Sequence, residues 1–307
     1  MDIKNCWVLT GPTASGKTSL SIRLAQRHNC EIVCMDSMQI YRRMNIGTAK
    51  PTADEMAGIP HHMLDVAEPT EAFSVARYQE MAEKCIEDIK LRGKRVLLVG
   101  GTGLYLRALR QPMAMGDVSA DEEIRKELET LAAQEGGKQR LHDMLEAVDP
   151  QTAARLHLND VRRAVRALEV FRLTGIPFSK QPQIEASSRF SYRVASLTMD
   201  RSLLYSRIEQ RVDQMLQQGL VDEVRQLLES GVPADCQGMK AIGYKEIVPY
   251  LSGAATWEET VYLLKLNTRH YAKRQLTWMR REEDVLWVDA MQPEAYDTLE
   301  NWYLQGE

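Results

Sequence analysis

Lys17 and Thr18 close the run Gly11-Pro-Thr-Ala-Ser-Gly-Lys-Thr18, which fits G-x-x-x-x-G-K-S/T. These residue types at this spacing suit one task, the holding of an oligophosphate. The backbone N–H groups of such a loop, and of a helix that follows it, converge on one spot. Lysine adds a point charge, and the threonine hydroxyl is placed to bind Mg²⁺. The residues expected around the phosphates are Gly11, Thr13, Ala14, Ser15, Gly16, Lys17 and Thr18, with Thr18 also the metal ligand. The flanks agree. The apolar run Trp7-Val8-Leu9 precedes the loop, and Leu20 and Leu24 follow at helical spacing.

The loop does not say what happens to the phosphates. A nucleotide hydrolase usually has an apolar strand ending in Asp or Glu to hold Mg²⁺. Here Arg95–Val99 runs into Gly100-Gly101-Thr102-Gly103, whereas Glu31–Met35 ends at Asp36, followed by Ser37, Met38 and Gln39. In a parallel sheet ligands gather beyond the carboxyl ends of the strands. Asp36 and Thr102 are therefore expected to face the same phosphates as Lys17. An Asp before Ser is also a common turn cap, and both readings of Asp36 stand at this point. Arg211 borders an apolar helical stripe. It either reaches over the sheet edge to a diphosphate or packs its stem on the core with its head in water, and periodicity favours the second.

Two further clusters are basic. Arg162, Arg163 and Arg166 lie off the apolar stripe of one helix. Arg269, Lys273, Arg274, Arg280 and Arg281 crowd another, with Tyr271 and Trp278 among them. Basic residues interleaved with aromatics suit a nucleic-acid backbone and unstacked bases, and a solvated helix face is the other reading. The His61-His62 pair, in a Gly-Pro-flanked stretch, reads as a turn rather than a metal site.

The elements that must position these groups follow from periodicity. Short apolar runs alternate with helical stripes over the first hundred residues, a βαβ pattern implying an α/β fold, a P-loop NTPase-like parallel sheet with helices on both faces. After Pro112 the character changes. From about Ser119 to about Lys180 only helices are read, Ile124–Ala133, Leu141–Val148 and Val161–Leu173, an all-helical insertion domain. The core resumes with a strand at Tyr192–Met199, a helix at Ser202–Gly219, a capping box at Thr256–Glu259 that opens a long basic helix, and a last strand at Val285–Val288. The expected division is 1–114 and 184–307 for the core and 115–183 for the insertion.

The 307 residues are 44% hydrophobic and 27% charged with formal net charge −4, so no global field draws nucleic acid to the chain. Charge is uneven. Tyr262–Arg281 holds six Lys or Arg and no acid, and 117–135 is acidic in balance. The five cysteines form no C-x-x-C pair, which suits a reducing cytoplasm and argues against zinc. No signal peptide or membrane span is read.

Several blocks occur in order: the phosphate loop, Asp36-Ser-Met-Gln-Ile-Tyr41, Asn45-Ile-Gly-Thr-Ala-Lys-Pro51, Pro60-His-His-Met-Leu-Asp65, Gly100-Gly-Thr-Gly-Leu-Tyr105, Arg166-Ala-Leu-Glu-Val170, Ile242-Gly-Tyr244 and Ala272-Lys-Arg-Gln275. Over nearly its whole length the chain resembles the tRNA dimethylallyltransferase (tRNA isopentenyltransferase) family, in its bacterial type. The resemblance implies transfer of a dimethylallyl group from dimethylallyl diphosphate to N6 of the adenosine 3′ of the anticodon. It implies Asp36 as general base, Thr102 and Arg211 acting on the diphosphate, and Mg²⁺ at Thr18. The extruded base would meet Asp36, Ser37, Met38 and Gln39, and tRNA would meet Arg162, Arg163, Lys240, Gly243, Lys245, Lys273 and Arg274. Some relatives have Arg where this chain has Lys240 and Lys245, which keeps a phosphate contact but not a bidentate one. A cytoplasmic monomer is the implied form. The rivals are a P-loop small-molecule kinase or NTPase and a non-catalytic RNA-binding module.

Overall fold

In the computed structural model the described residues are 5–111, 121–181 and 188–305. The chain forms two compact units, 1–111 with 188–307, and 112–187. The expected boundaries at 115 and 183 lie outside the described residues.

The larger unit is built on a six-stranded parallel sheet. Its strands are β1 (Asn5–Thr10), β2 (Cys30–Cys34), β3 (His61–His62), β4 (Arg95–Val99), β5 (Ser191–Thr198) and β6 (Val285–Asp289). They lie in the order β3-β2-β4-β1-β5-β6. Trp7 registers with Leu97, and Thr10 with Ser196. Strands covered on both faces read as near-continuous apolar runs, and β1 and β4 do so. Cys6, Val8, Val96 and Leu98 point into one core layer, Trp7, Leu9 and Leu97 into the other. The second layer is closed by α1 (Lys17–His28) and by α13 (Ala295–Leu304), whose Tyr303 donates to the Val8 carbonyl at 2.7 Å.

The first layer is covered by α3 (Val75–Leu91), α4 (Gly103–Arg110), α9 (Arg201–Gln217), α10 (Leu220–Glu229), α11 (Tyr244–Leu251) and α12 (Trp257–Met279). A short α2 (Ala53–Met56) precedes β3. Thr256 opens α12, accepting from the Glu259 amide while Glu259 accepts from that of Thr256. The smaller unit is helical: α5 (Glu122–Ala133), α6 (Gly137–Val148), the single turn α7 (Pro150–Ala153) and α8 (Val161–Thr174). Leu128, Leu141, Leu145, Val165 and Leu168 form its own core. Buried Glu169 is clamped there by Arg125 and Arg166, at 2.8 and 2.6 Å.

One expectation is corrected in the sheet. His61-His62 is a short edge strand against β2 rather than a turn. His62 meets Glu31 at 2.7 Å, and Arg92 and Lys94 also close on that buried carboxylate. The Arg92 guanidinium in particular holds Glu31 far below the ordinary carboxylate range. Among the described residues no helix is long and apolar enough to cross a membrane.

Candidate active site

The phosphate loop joins β1 to α1 at the carboxyl edge of the sheet. Its curl needs left-handed backbone at Gly11, Ala14 and Gly16, with φ of 143°, 63° and 90°. At Gly11 a Cβ would also sit 3.0 Å from the Leu197 backbone of β5. The loop is tied internally by the Ser15 amide to the Pro12 carbonyl at 3.3 Å. Lys17 Nζ donates to the Gly11 and Pro12 carbonyls at 3.0 and 2.7 Å. The amides of Ala14, Gly16, Lys17 and Thr18 have no hydrogen-bond acceptor among the described residues. Four convergent donors at a helix start form an anion cradle. Ser15 Oγ is buried there without a partner. Burial pushes the Lys17 ammonium down to about 7, Arg211 adds like-charge repulsion, and Asp36 opposes both.

Asp36 follows β2. Its Oδ1 accepts from the amides of Met38 at 2.8 Å and Gln39 at 3.3 Å, so the turn-cap reading of the sequence is realised. Its Oδ2 has no hydrogen-bond donor among the described residues. One carboxylate thus caps the turn with one oxygen and offers the other to a reactant. Ser37 and Met38 stand half-buried at the same edge. Gln39 instead turns inward. Its amide nitrogen donates to the Thr48 and Ala49 carbonyls at 3.1 and 3.0 Å, and its oxygen accepts from Cys34 Sγ.

Between β1 and β2 in the sheet, β4 reaches the same edge and ends in Gly100-Gly101-Thr102, the position where the acid of a nucleotide hydrolase would stand. The close approach of the chain explains the glycines. A Cβ on Gly100 would fall 2.0 Å from the Met35 carbonyl oxygen. Thr102 Oγ1 accepts from the Ser37 amide at 3.1 Å, which leaves its proton free to donate. The expectation that Arg211 keeps its head in water is corrected. It is half-buried on α9, and burial pushes its guanidinium below its ordinary range against the attraction of Asp36 and Glu55. Lys17, Asp36, Thr102 and Arg211 therefore share one electrostatic neighbourhood.

Sequence reasoning missed several supports of this edge. Gln275 of α12 accepts from the Thr13 amide at 2.9 Å and donates to the Gly101 carbonyl at 3.1 Å. Its place in Ala272-Lys-Arg-Gln275 was the available signal. Tyr271, four residues earlier, is half-buried on the same helix, and burial pushes its phenol up. Glu223 of α10 accepts from the amides of Asn45, Ile46 and Gly47 at 2.8, 2.9 and 3.1 Å, and from the Tyr244 hydroxyl at 2.6 Å. No local pattern announces that clamp.

The basic residues sort into paired and outward-facing. Arg162 is exposed and without an acidic partner among the described residues, and Arg163 is exposed and paired with Asp160. The expectation that Arg166 shares their outward face is corrected, because it turns onto Glu169. On α12, Arg269 pairs with Glu209 and Lys265 with Asp213, whereas Lys273 and Arg274 are exposed, Arg274 lying 5.7 Å from the Tyr271 ring centroid. Lys240 and Lys245 are exposed. Gly243, at φ 102°, donates its amide to buried Glu246 at 2.8 Å.

A parallel sheet whose strand ends gather a phosphate loop, a carboxylate and two cations defines a P-loop protein equipped for chemistry on a phosphorylated substrate. The IPP transferase family model matches residues 39–282. The tRNA dimethylallyltransferase of Halalkalibacterium halodurans is 49% identical over 283 residues, 92% of this chain and 90% of that protein. The Geobacter metallireducens enzyme of the same name is 49% identical over 294 residues, 95% and 94% of the two chains. The crystal structure of the full-length tRNA isopentenylpyrophosphate transferase from Bacillus halodurans superposes with a TM-score of 0.73 at 44% identity, covering 98% and 97%. A eukaryotic dimethylallyltransferase seen acting on tRNA gives 0.82 at 30% identity, covering 99% and 80%. The chain belongs to the IPP transferase family.

Proposed function

We propose that the protein transfers a dimethylallyl group from dimethylallyl diphosphate to N6 of the adenosine 3′-adjacent to the anticodon of tRNA, with release of diphosphate, as a monomer in the cytoplasm. The observation that carries the reading is the Asp36 carboxylate, fixed through Oδ1 and open at Oδ2, beside a loop built for diphosphate. Its relatives' names, tRNA dimethylallyltransferase, favour this over a small-molecule kinase or NTPase. So does β4, which ends in glycines rather than an acid.

The chemistry follows from the parts. Allylic C–O cleavage places negative charge on the departing diphosphate. The loop amides, Lys17, Arg211 and the Thr102 hydroxyl supply positive or donor groups where that charge develops. The adenine amine is a weak nucleophile because its lone pair is delocalised into the ring. Asp36 Oδ2 takes its proton as the new C–N bond forms. The base must leave its stack to reach this edge, and Ser37 and Met38 stand ready to flank it. Mg²⁺ fits Thr18, whose exposed hydroxyl makes no hydrogen bond among the described residues. Bound there, the ion neutralises diphosphate charge. Arg162, Arg163, Lys240, Lys245, Lys273 and Arg274 are the outward cations for tRNA phosphates.

Asp36→Asn tests the reading. It keeps the capping oxygen and loses the base, so kcat falls by roughly 10²–10⁴ while KM for tRNA stays near wild type. Wild-type turnover would leave Asp36 a turn cap only.

A further inference from the structure

Gln275 is a buried amide on a helix whose opposite side carries exposed cations. Its relative exposure is 6%, and the neighbouring Ala272 and Met279 are buried with it. Lys273 and Arg274, two residues and one residue before it, face solvent. Both ends of the Gln275 amide are used, the oxygen on the Thr13 amide and the nitrogen on the Gly101 carbonyl. Those two partners belong to the phosphate loop and to the turn that carries Thr102. The packing against α12 is close, so that a side chain at Gly101 or Gly103 would push against it. A Cβ on Gly101 would meet Gln275 Nε2 at 1.9 Å, and one on Gly103 would meet the Trp278 ring at 2.0 Å. α12 therefore cannot shift along the sheet edge without moving the phosphate loop or breaking these bonds.

We infer that Gln275 is a positioning residue that couples the outward, RNA-facing side of α12 to the diphosphate site. The inference rests on the proposed RNA substrate for its second half only. By holding the Thr13 amide, Gln275 fixes the curl from which the remaining loop amides are aimed. Phosphates seated on Lys273 and Arg274 bear on the same helical turn. Such coupling is reciprocal: whatever factor RNA applies to diphosphate affinity, diphosphate applies to RNA affinity.

The test uses the full chain, inorganic diphosphate with Mg²⁺ as probe, and an anticodon stem-loop RNA. Without RNA, Gln275→Leu should weaken diphosphate binding about tenfold, the effect of losing roughly one net hydrogen bond, at unchanged RNA affinity. In the wild type RNA should tighten diphosphate binding several-fold, and in Gln275→Leu that factor should fall towards one. Gln275→Met keeps the length of the side chain, adds no charge and loses both bonds, so it serves where the Leu variant does not fold, with the same expected weakening and loss of coupling. Unchanged diphosphate affinity, or an undiminished RNA factor in the variants, overturns the inference. A wild type that binds diphosphate but no RNA instead refutes the proposed substrate, and the RNA-free arm still decides the positioning role.

Discussion

Lys17 is held where its charge is costly. Burial and Arg211 together push its ammonium down to about 7. A diphosphate favours the protonated form, so its binding raises that value. Between pH 7 and the ordinary lysine range, binding must then take up a proton, and affinity must fall as pH rises through the window, by at most about tenfold per pH unit. Calorimetry of diphosphate binding at pH 8 in two buffers of different ionisation enthalpy should show net proton uptake by the wild type. Lys17→Arg should show less, because guanidinium stays charged throughout. Equal uptake by the two proteins would contradict the assignment. At this scale the sequence was informative where residues act locally. The phosphate-loop spacing announced its own geometry, and Asp36 before Ser37 announced a cap. It was uninformative where the partner is distant in sequence. Whether the Arg211 head lies in water or in the site depends on which strand end it overhangs, which helical periodicity does not contain.

The elements differ in the same way. The Thr256–Glu259 capping box marks the start of α12 in four residues, and the apolar stripe of α8 needs only its own period. β3 has two residues, too few for any period, and exists because the adjacent β2 offers unpaired backbone. α11 carries Pro249 within its span, which masks it in the sequence. The basic faces were legible as composition but not as pairing, since Arg269 and Lys265 turn onto acids of α9 more than fifty residues earlier, and Arg166 turns onto buried Glu169 of its own helix. The outward pair on α8 yields an element-scale prediction. Arg162→Ala with Arg163→Ala should raise KM for tRNA and flatten the log–log salt dependence of binding by about one unit for each phosphate that is no longer neutralised. KM for dimethylallyl diphosphate should hold, since every group proposed for the donor belongs to the other unit. Unchanged tRNA affinity and salt slope would make α8 a structural helix and assign the RNA phosphates to α12.

Across the whole molecule, the candidate site is assembled from stretches far apart in the chain: 11–18, 36–38, 102, 211 and 275. The parallel sheet makes this possible by bringing β1, β2 and β4 to one carboxyl edge, with α9 and α12 laid across it. A net charge of −4 means that RNA affinity must come from local patches rather than from the general field. The central claim is that this edge moves an allylic group onto RNA. The most direct measurement mixes the protein with tRNA, Mg²⁺ and dimethylallyl diphosphate labelled in the dimethylallyl carbons, then digests the tRNA to nucleosides. The account predicts label on N6 of the adenosine next to the anticodon and one diphosphate released per group transferred. Label that stays on the diphosphate, with ATP hydrolysed at a rate tRNA does not change, would contradict it.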